Sequence, residues 1–374
     1  MRPGTAEEAA TLLRSLGEEG RPVHPVGAGT KPWGPVIDAV PVETAGLSRI
    51  LEHNVGDFTT ILEAGVPLAE AQATFAEHGQ MLALDPPLGP GSDATVGGIV
   101  ATGDSGPLRH RYGSMRDLVV GATVALSDGT LATSGGKVIK NVAGYDLAKL
   151  FTGSFGTLGL IVRVAVRLHP LPTATATAVG ASVDPDRLGA AALDLAAHPL
   201  EADCLDLDWR DGAGRLLVRF GSAAATDQAV ETVARMEALG LADCAVIEDD
   251  DELWREQRAR QRAASPGGSS PASPRCILKV SGRPSDLPSV CRAGGAVVGR
   301  PALGLYWLAL DATAVAAARA ALAPRACTLL DAPAALRADA WAAPEAGAFA
   351  VMARVKERFD PARIFRPGTF VGGI

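Results

Sequence analysis

Apolar residues recur three or four positions apart at Ala9, Leu12, Leu13 and Leu16 and predict a helix over residues 5–18. Thr5 is placed to cap it, and Glu8, three residues on, completes a capping box. The period then shortens, so that 23–26 and 58–66 read as strands. Residues 68–78 return to helical spacing up to Gly79, and 81–84 is again a strand. Residues 118–126 and 131–134 are strands joined by Ser127-Asp128-Gly129-Thr130, a hairpin turn. The segment 160–169 partly alternates apolar with basic residues before Pro170 and Pro172 stop it, which makes 171–177 a boundary.

Beyond that boundary the chain is rich in alanine and arginine. Helical spacing recurs at 185–197, 224–240 and 312–322, and strand patterns at 204–209, 216–220, 245–248, 277–280 and 303–310. The run AASPGGSSPASP over 263–274 is a loop. A last helix, 348–358, leads into the tail. The pattern predicts two domains, the second of α+β type.

Composition narrows the class. With 374 residues, 47% hydrophobic and 21% charged, the chain has ample core for two soluble domains. A net charge of -7 argues against nucleic acid as a partner. The first residues lack the basic start and apolar run of a secretory leader, and no stretch approaches the length of a membrane span, so a cytoplasmic location is expected. Cys204, Cys244, Cys276, Cys291 and Cys327 are scattered singly, so an iron–sulfur cluster is not expected here.

Glycine is densest between residues 85 and 159, inside an otherwise strand-forming region. Glycine lets backbone N–H groups reach a ligand with no Cβ in the way, which points to a large bound cofactor. The loop Val26-Gly27-Ala28-Gly29-Thr30 follows a strand but lacks the third glycine of a dinucleotide fingerprint, since Pro32 stands there. It is either an anion-binding nest or a plain tight turn. ATVGGIVA, 94–101, is either a backbone approach to phosphate or a site of close helix packing.

The segments RYGSMRD, KNVAGYDLAKLF and GSFGTLGLI, with PVGAGT upstream and FDPARIFRPG in the tail, resemble the FAD-binding domain of the vanillyl-alcohol oxidase/p-cresol methylhydroxylase family. Within it they are most similar to FAD-binding subunits of bacterial glycolate oxidases. The resemblance implies an α+β protein: a two-subdomain FAD-binding domain over 1–172, a smaller α+β cap over 173–340, and a segment, 341–374, that returns to the first domain. It implies FAD held by the 26–30 loop and by Thr95, Gly97, Gly98, Ala101, Asp104 and Ser105. On the cofactor's other side it implies Lys140, Asn141, Tyr145, Gly153, Ser154, Gly156, Thr157, Gly159 and Ile161. Many relatives attach flavin through a histidine where Thr30 stands, so non-covalent FAD is expected. Tyr145 and Tyr112 can equally be core aromatics.

The same resemblance implies oxidation of a small hydroxy acid, glycolate to glyoxylate. The implied partners are a catalytic flavin subunit and an iron–sulfur subunit, with peripheral membrane association through them. Related enzymes clamp the substrate carboxylate with a cap arginine. Arg258 or Arg255 in ELWREQRARQR is the candidate, unless that run is simply a charged helix face. Lys279 is either a site residue or an edge-strand lysine. His110 is either a proton carrier or a loop histidine. Relatives that bind a catalytic metal carry a histidine-rich strand where this chain reads VVGRPALGLYWLAL, so no metal is expected. An independent flavoenzyme and a non-catalytic assembly subunit remain alternatives.

Overall fold

The computed structural model describes residues 1–89, 91, 93–136, 146–263 and 275–374. Lys140, Asn141, Tyr145 and most of the 263–274 loop lie outside the described residues. The chain divides into two units: Met1–Ser105, Gly113–Leu171 and Ala343–Ile374 form the first, and Gly106–Tyr112 with Pro172–Ala342 the second. Residues 106–112, which the sequence reading leaves with the FAD domain, group with the second unit instead.

Among the described residues of the first unit, five strands pair antiparallel in the order Ile50–Asn54, Thr59–Glu63, Leu160–Arg167, Val119–Ala125, Leu131–Gly135. Leu160 and Val162 pack with Ala9, Leu13 and Leu16 of helix Ala6–Glu18. Val164 and Val166 pack with Leu68, Phe75, Ile99 and Val100, from helices Leu68–Ala76 and Val96–Thr102. Such two-sided burial gives the near-continuous apolar run LIVRVAV. Thr5 caps the first helix, its side chain accepting from Glu8 N at 3.0 Å, while Glu8 reaches back to Gly4 N at 2.8 Å. The strand expected over 81–84 shrinks to Gln80–Met81 because the side chain of Gln72 takes both Leu82 N and Leu82 O, leaving them no partner strand.

A parallel pair, Val23–Val26 with Val40–Glu43, lies in the same unit. The tail returns to it: Phe365 bridges Val23 in parallel, and Val23 N donates to Ile364 O at 2.6 Å.

The second unit is built on eight antiparallel strands among its described residues. Their order is Ala242–Ile247, Ala176–Ser182, Ala213–Phe220, Cys204–Arg210, Ala296–Arg300, Leu305–Asp311, Arg275–Ser281, Ala326–Leu329. Leu205, Leu207, Leu216, Val218, Leu278 and Leu308 form its core with helices Pro185–Ala197, Ala225–Ala238, Leu287–Arg292 and Val315–Leu322. Alternate residues put Asp206, Asp208, Arg215, Arg219, Arg300 and Lys279 on the opposite face. Helix Asp251–Ala259 packs there through Trp254, beside Val179, Cys204 and Leu217.

Candidate functional site

In the first unit a cleft of about 850 Å³, counting its solvent-open mouth, is lined by His24–Pro32, Thr44, Thr95, Gly97, Gly98, Ala101, Thr102, Phe155, Gly156, Gly159, Leu160, Ile161 and Arg366. Strand Val23–Val26 delivers the loop to one wall. Gly29 adopts φ +67° with nothing within 4 Å of where a Cβ would be, so its backbone faces open space. Gly27 is packed instead: a Cβ there would collide with the hydroxyl of Thr95.

Thr95 caps helix Val96–Thr102 by accepting from Gly98 N at 3.2 Å. The first N–H groups of this helix are already used, Val96 N on Val66 O and Gly97 N on Ala64 O, at 2.9 and 2.8 Å. The expectation that this helix start presents its N–H groups to a phosphate is therefore corrected. Gly97 serves close packing, since a Cβ would sit 2.7 Å from Ala64 O, and Gly98 contributes a bare surface to the cleft. The backbone N–H groups of Gly27, Ala28 and Gly29 donate to no group among the described residues and line the cleft.

The opposite wall is the turn at 153–159. Gly153 N and Phe155 N are tied to Val100 O and Ala101 O at 2.9 and 2.7 Å, which fixes this turn against the glycine helix. Phe155 itself holds φ +55°, a conformation costly for a bulky residue. Gly156, at φ +69°, backs onto Pro25, whose ring would lie 3.2 Å from an added Cβ. The Ser154 hydroxyl is buried with no partner among the described residues.

Charge in the cleft is placed by burial. Lys31 pairs with Asp104 at 3.5 Å, both nearly buried. His24 is pushed down to about 4 by burial, helped by the charge of Arg366, so its imidazole is neutral near pH 7.

Of the residues singled out from the sequence, Val26, Gly27, Ala28, Gly29, Thr30, Thr95, Gly97, Gly98, Ala101, Gly156, Gly159 and Ile161 line the cleft. Asp104, Ser105, Ser154 and Thr157 are buried near these segments but are not on its lining, and neither is Gly153. Sequence reasoning missed His24, Lys31, Thr44, Thr102, Phe155 and Arg366. The tail motif FRPG carried the one available signal for Arg366.

The catalytic candidates lie in the second unit. Arg255 is exposed and ion-paired with Glu252, while Arg258 is half-buried on the same helix. Lys279 is not on an edge: its strand is flanked on both sides, and its ammonium lies 5.7 Å from the Trp307 ring centre. His110 borders a small pocket with Leu195, His198 and Leu200, and burial lowers its imidazole pKa. Where the resemblance expects metal-binding histidines stands Arg300, 4.4 Å from the Trp307 ring centre and 3.9 Å from Asp206. Among the described residues no group of three or more His, Cys, Asp or Glu could hold a metal ion, and no helix is long and apolar enough to cross a membrane.

Residues 1–135 match the family model of an FAD binding domain. The chain is 36% identical over 180 residues to the mitochondrial D-lactate dehydrogenase [cytochrome] of Arabidopsis thaliana, covering 47% of this chain and 31% of that protein. It is 39% identical over 126 residues to glycolate oxidase subunit GlcE of Escherichia coli (strain K12), covering 34% of this chain and 36% of that one. The chain thus spans about a third of the length of each of these two relatives. A solved alkyldihydroxyacetonephosphate synthase shares the fold, with a TM-score of 0.72, 15% identity, and coverage of 98% of this chain and 76% of that chain.

The cleft and the family match agree: residues 1–135, which carry the likeness to an FAD binding domain, supply most of the cleft's lining. The bare backbone of Gly29 and Gly98 and the N–H groups of residues 27–29, which donate to no group among the described residues, suit the flank and the diphosphate of FAD.

Proposed function

We propose that the chain is an FAD-dependent oxidoreductase acting on the CH–OH group of a small 2-hydroxy acid. In this reading it is the FAD-binding subunit of a glycolate oxidase, working with a catalytic flavin subunit and an iron–sulfur subunit. The observation that carries the proposal is the cleft, in a domain whose relatives are named as hydroxy-acid dehydrogenases and a glycolate oxidase subunit. FAD, held non-covalently because Thr30 offers no ring nitrogen, would supply the two-electron redox chemistry. The chain's residues bind and orient it: the 26–30 loop at the phosphates, the 97–101 and 156–161 segments along its flanks.

A second reading, an independent dehydrogenase, is favoured by identity of 36% to D-lactate and D-2-hydroxyglutarate dehydrogenases alike. Anaerobic mixing of the FAD-loaded chain with glycolate, D-lactate or D-2-hydroxyglutarate separates the two. Bleaching by glycolate only when co-purified partners are present supports the subunit reading. Bleaching by the isolated chain supports the second, and no bleaching under any condition removes both.

A further inference from the structure

Arg366 reaches the cleft from the C-terminal tail. Its backbone is pinned from both sides: Arg366 N donates to Val23 O at 2.9 Å, and Thr369 Oγ1 donates to Arg366 O at 2.9 Å. It holds φ +45°, where a side chain with a Cβ is strained, and such strain persists only where surrounding structure enforces it. The residue so held lines the cleft.

There the side chain is 9% exposed. Nη1 and Nη2 reach the carbonyls of Phe155 and Trp33 at 3.3 and 3.1 Å, and Nε has no partner among the described residues. No carboxylate among the described residues forms an ion pair with it, whereas the neighbouring cleft cation, Lys31, has Asp104. Two carbonyls satisfy hydrogen bonds but carry no counter-charge. A guanidinium kept out of water without an anion is costly, and burial accordingly holds its pKa below the usual arginine value.

On the same cleft lie Gly27, Ala28 and Gly29, whose N–H groups donate to no group among the described residues and also suit an anion. We propose that Arg366 is the cationic receptor for the pyrophosphate of FAD, so that the C-terminal tail supplies the counter-charge that the glycine loop lacks. The proposal rests on the FAD reading of the cleft. A fork-shaped donor suits two phosphate oxygens, and its ties to Trp33 and Phe155 hold it in place.

The test measures binding of FAD, ADP, riboflavin and adenosine to the full chain and to Arg366→Gln and Arg366→Lys, with thermal melting as the check on folding. The expected result is a loss of about 10- to 100-fold for FAD and ADP in the Gln variant, as for a charged hydrogen bond, with riboflavin and adenosine unaffected. The Lys variant, which keeps the charge but loses both carbonyl ties, is expected to retain most of the diphosphate affinity. It carries the test if the Gln variant is unstable. Unchanged FAD and ADP affinity in the Gln variant overturns the proposal. So does an equal loss for ligands with and without a diphosphate, or a Lys variant no better than Gln, since each marks a merely structural arginine. A wild-type chain that binds neither FAD nor ADP brings down the FAD reading itself.

Discussion

The ammonium of Lys356 donates to the carbonyl of Thr157 at 2.7 Å, joining the final helix to the turn that forms one wall of the cleft. Its other two hydrogen bonds go to Asp360 Oδ2 and Phe365 O, at 2.6 and 2.7 Å, so all three of its protons are used. Asp360 in turn accepts from Ile364 N and Phe365 N. One buried ion pair therefore organises the tail that pairs with Val23.

Lys356→Met should strand the fully buried Asp360 carboxylate. Breaking such a pair costs about 3–5 kcal/mol, and FAD affinity should fall with it because Thr157 and Phe365 lose their common anchor. Thermal melting and flavin titration of the variant check both. A variant as stable as the parent would show that the pair contributes little.

Gly27 and Thr95 should be coupled. Gly27→Ala drives a Cβ into the Thr95 hydroxyl, an overpacking of about 1–3 kcal/mol. Thr95→Ala removes the helix cap at about 1 kcal/mol. Since the alanine at 95 also removes the clashing atom, the double variant should be more stable than the sum of the two effects allows. Strict additivity in denaturant melts would contradict this packing.

His24 gives a pH dependence. Its folded pKa, about 4, is below its ordinary value of 6.5. The folded state thus binds fewer protons than the unfolded chain between those values. Stability should be full above pH 6.5, decline as pH falls towards 4, and flatten below. Melting temperature measured over that range for the parent and for His24→Gln checks the sign, and the variant should show a shallower decline.

In the second unit, Asp250 is fully buried and accepts from Thr175, Thr177 and both Nε and Nη2 of Arg219, while Trp254 Nε1 donates to Thr177 at 2.8 Å. This network anchors helix Asp251–Ala259 to the sheet. Asp250→Asn leaves the Arg219 charge without its closest counter-ion and should cost about 3–5 kcal/mol. A melting temperature equal to that of the parent would contradict that anchoring.

The glycine loop and the glycine-dense stretch were legible because glycine's lack of Cβ is a local property: Gly29 in the one and Gly98 in the other expose bare backbone to the cleft, and the sequence alone implies such a surface. Gly97 was harder to read. Its need for glycine comes from Ala64, thirty-three positions away, and no spacing reveals that contact. Arg366 escaped for the same reason, since its place in the cleft depends on Phe365 pairing with Val23 across the whole length of the first unit. The edge-strand alternative for Lys279 fails because a strand covers it, Ala326–Leu329, which is four residues long and has too little alternation to register in the sequence. Residues 106–112 carry no compositional mark of the second unit; Arg111 joins it by reaching Asp203 and the carbonyl of Glu201.

The account stands most directly on the flavin content of the purified chain. Absorption spectroscopy followed by acid precipitation is expected to show a yellow protein with one FAD per chain, and all of that FAD released into the supernatant. A colourless chain that stays colourless after incubation with excess FAD would contradict it.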